Sequence, residues 1–367
     1  MGEAMNPYSD TKILFDLKRL EALRRGEQIV PQHVQIILSD LCNHDCGFCA
    51  YRMTGYTSNQ WFGETRADGT VNNNPNRMIK TSKALEILDD CAAMGVGGIQ
   101  FTGGGEPTVH KDHISIFSHA LDLGLRCALV TNGNILRTGW SDVLPLFTWL
   151  RVSLDAGNEN TYSRIRRVSP VAFHKALTNI RFLRDEIDKR GTGSTLGVGF
   201  VVTRENYREV AAAAALAKAA GAHNMRIGAV FSTEGLGYYE DIHGACVEHI
   251  AEARSVSGDG FDVVDLFGQR IGDLEHGAPS YSRCYFQEYV TYIGADLNVY
   301  RCCNTAYNAQ GFVGSLMSQR FQTLWSGETK NHSFESFDPK TCQRCQFNGK
   351  NQLLNSVVTP PLHPDFP

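Results

Sequence analysis

Val34-Gln35-Ile36-Ile37-Leu38, followed closely by Cys42-Asn43-His44-Asp45-Cys46-Gly47-Phe48-Cys49, is the stretch from which the rest of the chain is read. The apolar run reads as a buried strand, and the loop after it carries three thiols, separated by three and then two residues. Three thiolates from one loop can converge on one face of a cuboidal iron–sulfur cluster. Such clusters normally take four protein thiolates, so one iron is left for a small molecule that binds through oxygen and nitrogen. The competing reading is a zinc site with His44 as the fourth ligand. Zinc prefers four tetrahedral ligands, usually in two separated pairs, and here a single loop would have to wrap the metal alone.

Downstream, strand and helix patterns alternate. Thr81 is the expected cap of a helix that stops at Gly95, with Leu85, Leu88 and Ala92 on one side. Strands are expected at 99–102, 128–131, 150–155, 198–202 and 226–230. Helices fall between them at 114–123, 171–188 and along the alanine-rich run 207–220, because alanine has the highest helix propensity. With the strand at 34–38 this makes six parallel βα units. They imply a partial (β/α)6 barrel of the TIM type with its active site at the C-terminal ends of the strands.

The expected organisation is an N-terminal helical leader over 1–33, the barrel over 34–235 and a connecting segment over 236–279. A small α+β domain over 280–350 and an extended tail over 351–367 complete it. The leader helix is expected over 9–26, with Leu14, Leu17 and Leu20 on one side. The aromatic, Asn/Gly-rich stretch 52–76 reads as a lid or binding loop, or as a disordered insertion. In the C-terminal part, Tyr289-Val290-Thr291-Tyr292 and Asn298-Val299-Tyr300 read as a β-hairpin turning at Gly294-Ala295-Asp296.

Composition narrows the class. Hydrophobic residues make up 42% and charged residues 20%, as in an ordinary soluble globular protein. A net charge of −4 gives no general attraction to nucleic-acid backbones. No apolar run is long enough to span a membrane, and the first residues lack the apolar core of a signal peptide. The 11 cysteines are odd in number and clustered, which points to metal or redox chemistry in a reducing cytoplasm rather than to disulfides.

Three further groups carry chemistry. Gly103-Gly104-Gly105-Glu106-Pro107 follows the second strand, and its glycines let the backbone approach a ligand closely. The fourth strand sets Arg151, Ser153 and Asp155 on one side, polar residues that need partners inside a barrel. Cys284, Cys302, Cys342 and Cys345 form a second thiol set that suits a zinc ribbon or a cluster equally well. Cys91, Cys127 and Cys246 read as core residues.

The loop of Cys42, Cys46 and Cys49, with Phe48 before the third thiol, resembles the signature of the radical S-adenosylmethionine (SAM) superfamily. The later motifs match that family in order. The resemblance covers roughly residues 34–350 and implies a 4Fe–4S cluster whose open iron chelates SAM. It makes Gly103, Gly104, Gly105 and Glu106 contacts of the SAM amino group, and Ser153 and Asp155 contacts of the ribose. Among Arg164, Arg166 and Arg167 it implies a carboxylate-binding residue, here assigned to Arg166, with Asn132 as a contact of adenosine. The second thiol set resembles the truncated auxiliary-cluster module called a twitch domain, related to the SPASM domain, which implies a second 4Fe–4S cluster. Leu297 stands where that pattern usually carries glycine.

The family's chemistry implies reductive cleavage of SAM, abstraction of a hydrogen atom from a small-molecule or side-chain substrate, and an electron donor such as flavodoxin or ferredoxin. A net oxidation is the expected outcome. An isomerase or epimerase, with Cys303 as hydrogen donor, is the rival, and a peptide- or nucleotide-modifying activity is another. Strand alternation would put Cys302 with Asn298 and Tyr300, and Cys303 on the opposite face with Val299 and Arg301.

Overall fold

The computed structural model describes residues 8–52, 77–232 and 234–359, so the candidate lid over 53–76 lies outside the described residues. Six parallel strands form where the apolar runs require them: β1 (His33–Ile37), β2 (Gly98–Thr102), β3 (Cys127–Thr131), β4 (Trp149–Ser153), β5 (Thr195–Val202) and β6 (Asn224–Ala229). Helices Thr81–Met94, His113–Asp122, Val171–Arg190 and Val210–Ala219 lie between them. The sheet stands in a mixed α/β fold of the partial-barrel type. Packing rather than local propensity enforces the alternation. Phe101 of β2 meets Phe117 of the following helix at 4.5 Å, and Phe117 meets Phe147 at 5.2 Å, all three fully buried. Each such burial is worth roughly 1.5–3 kcal/mol, against a few tenths per residue for helix propensity.

The structure corrects several expectations. The segment 236–279 is more than a connection: it contains helices His243–Arg254 and Phe267–His276 and a seventh parallel strand, β7 (Asp262–Asp265), paired with β6. The leader is a 3-10 turn, Asp10–Phe15, and a separate helix, Leu17–Arg24, with the Asp16 carboxylate accepting from the Arg19 N–H between them. The break rotates the apolar stripe, so Ile13, Leu20 and Leu23 are buried while Leu17 is exposed. Lys80, not Thr81, occupies the cap of the second helix, and the Thr81 hydroxyl donates to Asp112 instead (2.5 Å). Residues Asn348–Val358 are helical, so the first part of the expected extended tail is folded, and residues 360–367 lie outside the described residues.

The hairpin forms as β8 (Val290–Ile293) and β9 (Asn298–Tyr300), with β10 (Phe312–Ser315) added antiparallel to β9. Leu297 takes the left-handed conformation (φ 62°) that a glycine would adopt without strain. β8 pairs parallel with β1, His33 opposite Val290. All ten strands therefore belong to one sheet, in the order β10-β9-β8-β1-β2-β3-β4-β5-β6-β7. No helix of the described residues is long and apolar enough to cross a membrane.

Candidate functional site

The C-terminal ends of β1 to β6 open into one cavity of about 450 Å³. Cys42, Cys46, Phe48 and Cys49 line it, together with Gly103, Gly104, Gly105, Glu106, Asn132, Ser153, Asp155 and Arg166. Every first-cavity residue chosen from sequence is thus brought to one space.

The glycine loop is sewn to the cysteine loop. Gly105 N–H donates to Ser39 O (2.9 Å) and Glu106 N–H to Leu41 O (3.0 Å). A Cβ on Gly105 would stand 2.2 Å from Leu41 O, so no other residue fits that approach. Glu106 is buried, and four donors converge on its carboxylate. It accepts from Thr131 Oγ1 (2.6 Å), Thr108 Oγ1 (2.7 Å), the Thr108 N–H (3.1 Å) and the Asn132 N–H (2.7 Å). Its side chain therefore ties β2 to β3. Asn132 in turn donates its amide to Asn43 Oδ1 (2.7 Å) inside the cysteine loop.

Asp155 and Arg166 form a buried ion pair. Asp155 sits at φ 57° and also accepts from Val201 N–H (2.7 Å), so both its oxygens are engaged within the chain. Burial pushes its carboxyl up, and the Arg166 charge opposes that shift. Arg166 donates to Ser153 O (2.8 Å) and lies 5.0 Å over the Tyr162 ring. Of the three candidate arginines it alone is buried and lines the cavity. Arg164 pairs with Glu205 and Arg167 with Asp45, both at the surface.

The donor set suits iron and sulfur better than a single zinc. Among the described residues no three His, Cys, Asp or Glu side chains come together closely enough to hold one ion. His44, the fourth ligand of the zinc reading, turns Nδ1 to Arg166 Nη1 (3.3 Å) and its ring to the edge of Tyr162. Burial and the Arg166 charge pull its pKa down to about 3. Burial raises Cys42 to about 12 and Cys46 to about 11, and raises Cys49 as well. A bound cationic metal would reverse that preference, because coordination deprotonates a thiol outright.

Cys284, Cys302, Cys342 and Cys345 line a second, smaller pocket with Tyr281, Arg301 and Phe347. Burial first, and then the other three thiols, push Cys284 well up, as expected for four sulfurs facing one space. Tyr281 Oη (3.7 Å from Cys345 Sγ) and Gln310 Nε2 (3.4 Å from Cys342 Sγ) donate to two of the sulfurs. Such hydrogen bonds tune the potential of a thiolate-held cluster.

Cys303 lies elsewhere: its Sγ accepts from Gln346 Nε2 (3.1 Å), and Gln346 lines the first cavity. The alternation expected along 298–303 fails at one point. β9 ends at Tyr300, and Arg301 lines the second pocket beside Cys302, donating to Gln287 Oε1 (2.9 Å) and Ser333 Oγ (2.7 Å). Cys91, Cys127 and Cys246 are buried in the core, and all 11 thiols are free.

Sequence reasoning left out Arg226, Arg270 and Gln346, all of which line the first cavity. For Arg226 the signal was available. It is a lone cation inside an apolar strand, two residues before Gly228, in the same inward series that singled out Arg151.

A family model described as the Radical SAM superfamily matches residues 36–226. An Fe-coproporphyrin III synthase of Methanosarcina barkeri is 29% identical over 136 residues, covering 36% of this chain and 32% of that protein. An S-adenosylmethionine-dependent nucleotide dehydratase of Lacinutrix mariniflava is 31% identical over 137 residues, covering 37% of this chain and 28% of that protein. The chain thus spans about a third of the length of these relatives. SuiB of Streptococcus suis, solved with its precursor peptide SuiA, matches with a TM-score of 0.62 at 14% identity, over 92% of this chain and 74% of that one. At that identity the likeness is one of fold.

Proposed function

The chain belongs to the radical SAM superfamily, and on that premise we propose that it removes a hydrogen atom from a carbon of its substrate in a net oxidation. Membership brings a 4Fe–4S cluster and SAM. When bound, they supply the 5′-deoxyadenosyl radical that takes the hydrogen. Cys42, Cys46 and Cys49 would hold that cluster. The observation that carries the reading is their convergence, with the glycine loop and the Asp155–Arg166 pair, on one cavity at the strand ends.

The chain's own residues divide the work. The backbone of Gly103 to Gly105 offers polar groups to a ligand at close range. Ser153 and Arg166 present hydrogen-bonding groups on the opposite wall, and Phe48 excludes water beside the thiols. Asp155 and Glu106 are held in place by Arg166, the Val201 N–H, Thr108, Thr131 and Asn132, and Glu106 Oε2 and both Asp155 oxygens, with one donor each, can accept a further bond from a ligand. Cys284, Cys302, Cys342 and Cys345 would hold a second 4Fe–4S cluster in a twitch-like region over 280–350, which supplies an electron acceptor when bound.

The placement of Cys303 supports a second reading, an isomerase that returns a hydrogen atom from that thiol. Gln346 holds the sulfur beside the cavity. The relatives' names include a heme synthase and a nucleotide dehydratase, and SuiB was solved with a peptide. A small molecule, a nucleotide and a peptide side chain are therefore the substrate classes to screen.

Anaerobic reconstitution should give about eight irons per chain, and reduction with SAM should yield 5′-deoxyadenosine. Replacing Cys42, Cys46 and Cys49 by Ala should leave about four irons and no cleavage. A colourless, zinc-loaded protein would end the reading. With substrate in hand, one SAM consumed per product without solvent deuterium supports oxidation, whereas solvent label in the product supports the isomerase.

A further inference from the structure

The inner wall of the barrel carries two cations that have no ion-pair partner among the described residues. Arg151 of β4 and Arg226 of β6 both line the first cavity. Between them runs β5, whose Gly199 is in register with Ser153 on one side and Arg226 on the other. Gly199 has no side chain to fill that place. A Cβ there would stand 3.5 Å from Arg151 Cδ and 3.9 Å from its Nε, so the Arg151 side chain lies across β5 toward β6. Arg226 runs along its own strand toward the cavity, and its Nη2 would lie 4.0 Å from a Cβ on Gly228. Two glycines thus leave the trough in which both side chains lie.

Among the described residues neither guanidinium has an ion pair or a hydrogen bond to a carboxylate. Aromatic faces hold them instead: Arg151 lies 5.2 Å over Trp149 and Arg226 lies 5.6 Å over Tyr8. Such contacts fix a guanidinium without neutralising it or using up its in-plane donors. Of the two carboxylates in the cavity lining, Asp155 is paired with Arg166 and accepts from the Val201 N–H, and Glu106 accepts from Thr108, Thr131 and Asn132; neither bonds to Arg151 or Arg226. Arg270, the third cation on this side, has its own partners in Asp273 (2.8 Å) and Gln346 O (2.7 Å). Burial, then the charges of Arg151 and Arg270, pull the pKa of Arg226 down to about 9, which marks a cation held at a cost. Uncompensated charges in a cleft are a functional signal because structure alone gains nothing from them.

We propose that Arg151 and Arg226 form a two-guanidinium clamp for an oxyanionic group of the substrate, a carboxylate or a phosphate. Each fork offers paired donors that match two oxygens of such a group; a phosphate dianion would offset both charges and a single carboxylate one of them. The clamp sits on β4 and β6, across the cavity from the cysteine and glycine loops. It binds substrate rather than SAM, and the assignment rests on the cavity being the active site.

The test uses the reconstituted holoprotein under anaerobic conditions at constant ionic strength, titrated calorimetrically with pyrophosphate and separately with glutarate. At least one anion should bind saturably at one site per chain; the tighter one tells phosphate from carboxylate. Arg151→Met and Arg226→Met should each weaken it tenfold or more, equivalent to about 1.4 kcal/mol. Arg204→Met, which alters a surface pair with Asp241, should change nothing. SAM affinity should stay within about twofold in all variants, since each tenfold change would need another 1.4 kcal/mol of contact. Loss of SAM affinity in step with the anion would assign the arginines to the SAM site and overturn the clamp. So would anion binding that either substitution leaves intact, or no saturable binding of either anion.

Thermal unfolding supplies a second readout. The anion should raise the melting temperature of the wild type and not that of Arg226→Met, whose own melting temperature should not fall, because a repulsion has been removed. A variant that melts much earlier, or that keeps the anion-induced rise, would make Arg226 a structural residue. If instead SAM fails to bind the wild type at all, the reading of the cavity has failed and not the clamp.

Discussion

Replacing Gly105 by Ala should damage the first site far more than replacing Gly47, inside the cysteine loop, by Ala. The new Cβ would stand 2.2 Å from Leu41 O and 2.5 Å from Leu41 C and Asp40 C, all backbone atoms that no rotamer change can move aside. Overpacking of this kind costs roughly 1–3 kcal/mol. Relief requires the two loops to part, which sacrifices the bonds from Gly105 N–H to Ser39 O and from Glu106 N–H to Leu41 O. At about 1 kcal/mol each, these bring the expected loss to about 3–5 kcal/mol. Gly47→Ala is the control. It lies between Cys46 and Phe48, yet its Cβ would meet nothing nearer than Arg167 Nη2 at 3.8 Å. Its effect should stay within about 0.5 kcal/mol. Urea unfolding gives the energies, and iron per chain reports the loop: Gly105→Ala should approach about four irons as the first site empties, while Gly47→Ala keeps the full complement. Equal damage from both changes, or wild-type stability and iron in Gly105→Ala, would refute the argument from close approach.

Two other outcomes follow from particular contacts. Cys302→Ala should lower iron content by up to about four per chain, whereas Cys303→Ala should leave it intact, because Cys302 faces the second pocket and Cys303 faces Gln346; iron analysis giving the opposite pattern would reverse the assignment. His33, on β1, has its pKa pushed down to about 4 by burial, so below pH 6.5 the unfolded chain takes up a proton that the folded chain refuses. The stability tied to this is full above pH 6.5 and is lost as pH falls toward 4. It amounts to about 3 kcal/mol at most and ~2 after allowance for partial exposure. His33→Gln should lose that much less between pH 7 and 4.5 in urea unfolding, and parallel curves for the two proteins would count against it.

The strands that were legible in sequence bury an apolar series on at least one face, as β4 does with Leu150 and Val152. β7 was not legible, because Asp262 and Asp265 close a four-residue edge strand whose exposed sides need no apolar pattern. The thiol loop and the glycine loop were readable because their spacing is local, whereas Cys302 was chosen over Cys303 on the resemblance to the twitch pattern, and it lines the second pocket. What spacing cannot tell is how a side chain spends its bonds. Asp155 and Glu106 reach the cavity as expected, and both also tie down neighbours distant in sequence, Arg166 and Val201 for one and Thr131 and Asn132 for the other. Arg301 shows the limit of alternation. The rule holds only while the strand continues, and β9 stops one residue earlier.

The place of β1 in the sheet joins the two thiol-bearing regions of the chain. β1 pairs with β2 along one edge and with β8 along the other, so His33 stands between Gly98 and Val290. The cysteine loop, the glycine loop and the hairpin therefore leave adjacent parallel strands at the same end. Tyr292 of β8 donates to Gly103 O (3.1 Å), so its hydroxyl must accept from Tyr51 (2.5 Å), two residues beyond Cys49. Tyr307, beyond the hairpin, donates to Asp40 Oδ1 (2.5 Å), two residues before Cys42. The C-terminal region thus grips the cysteine loop at both its ends and the glycine loop at its start. Removing residues after 280 would also strip β1 of its β8 edge, leaving unpaired backbone groups beside the very strand that launches the cysteines.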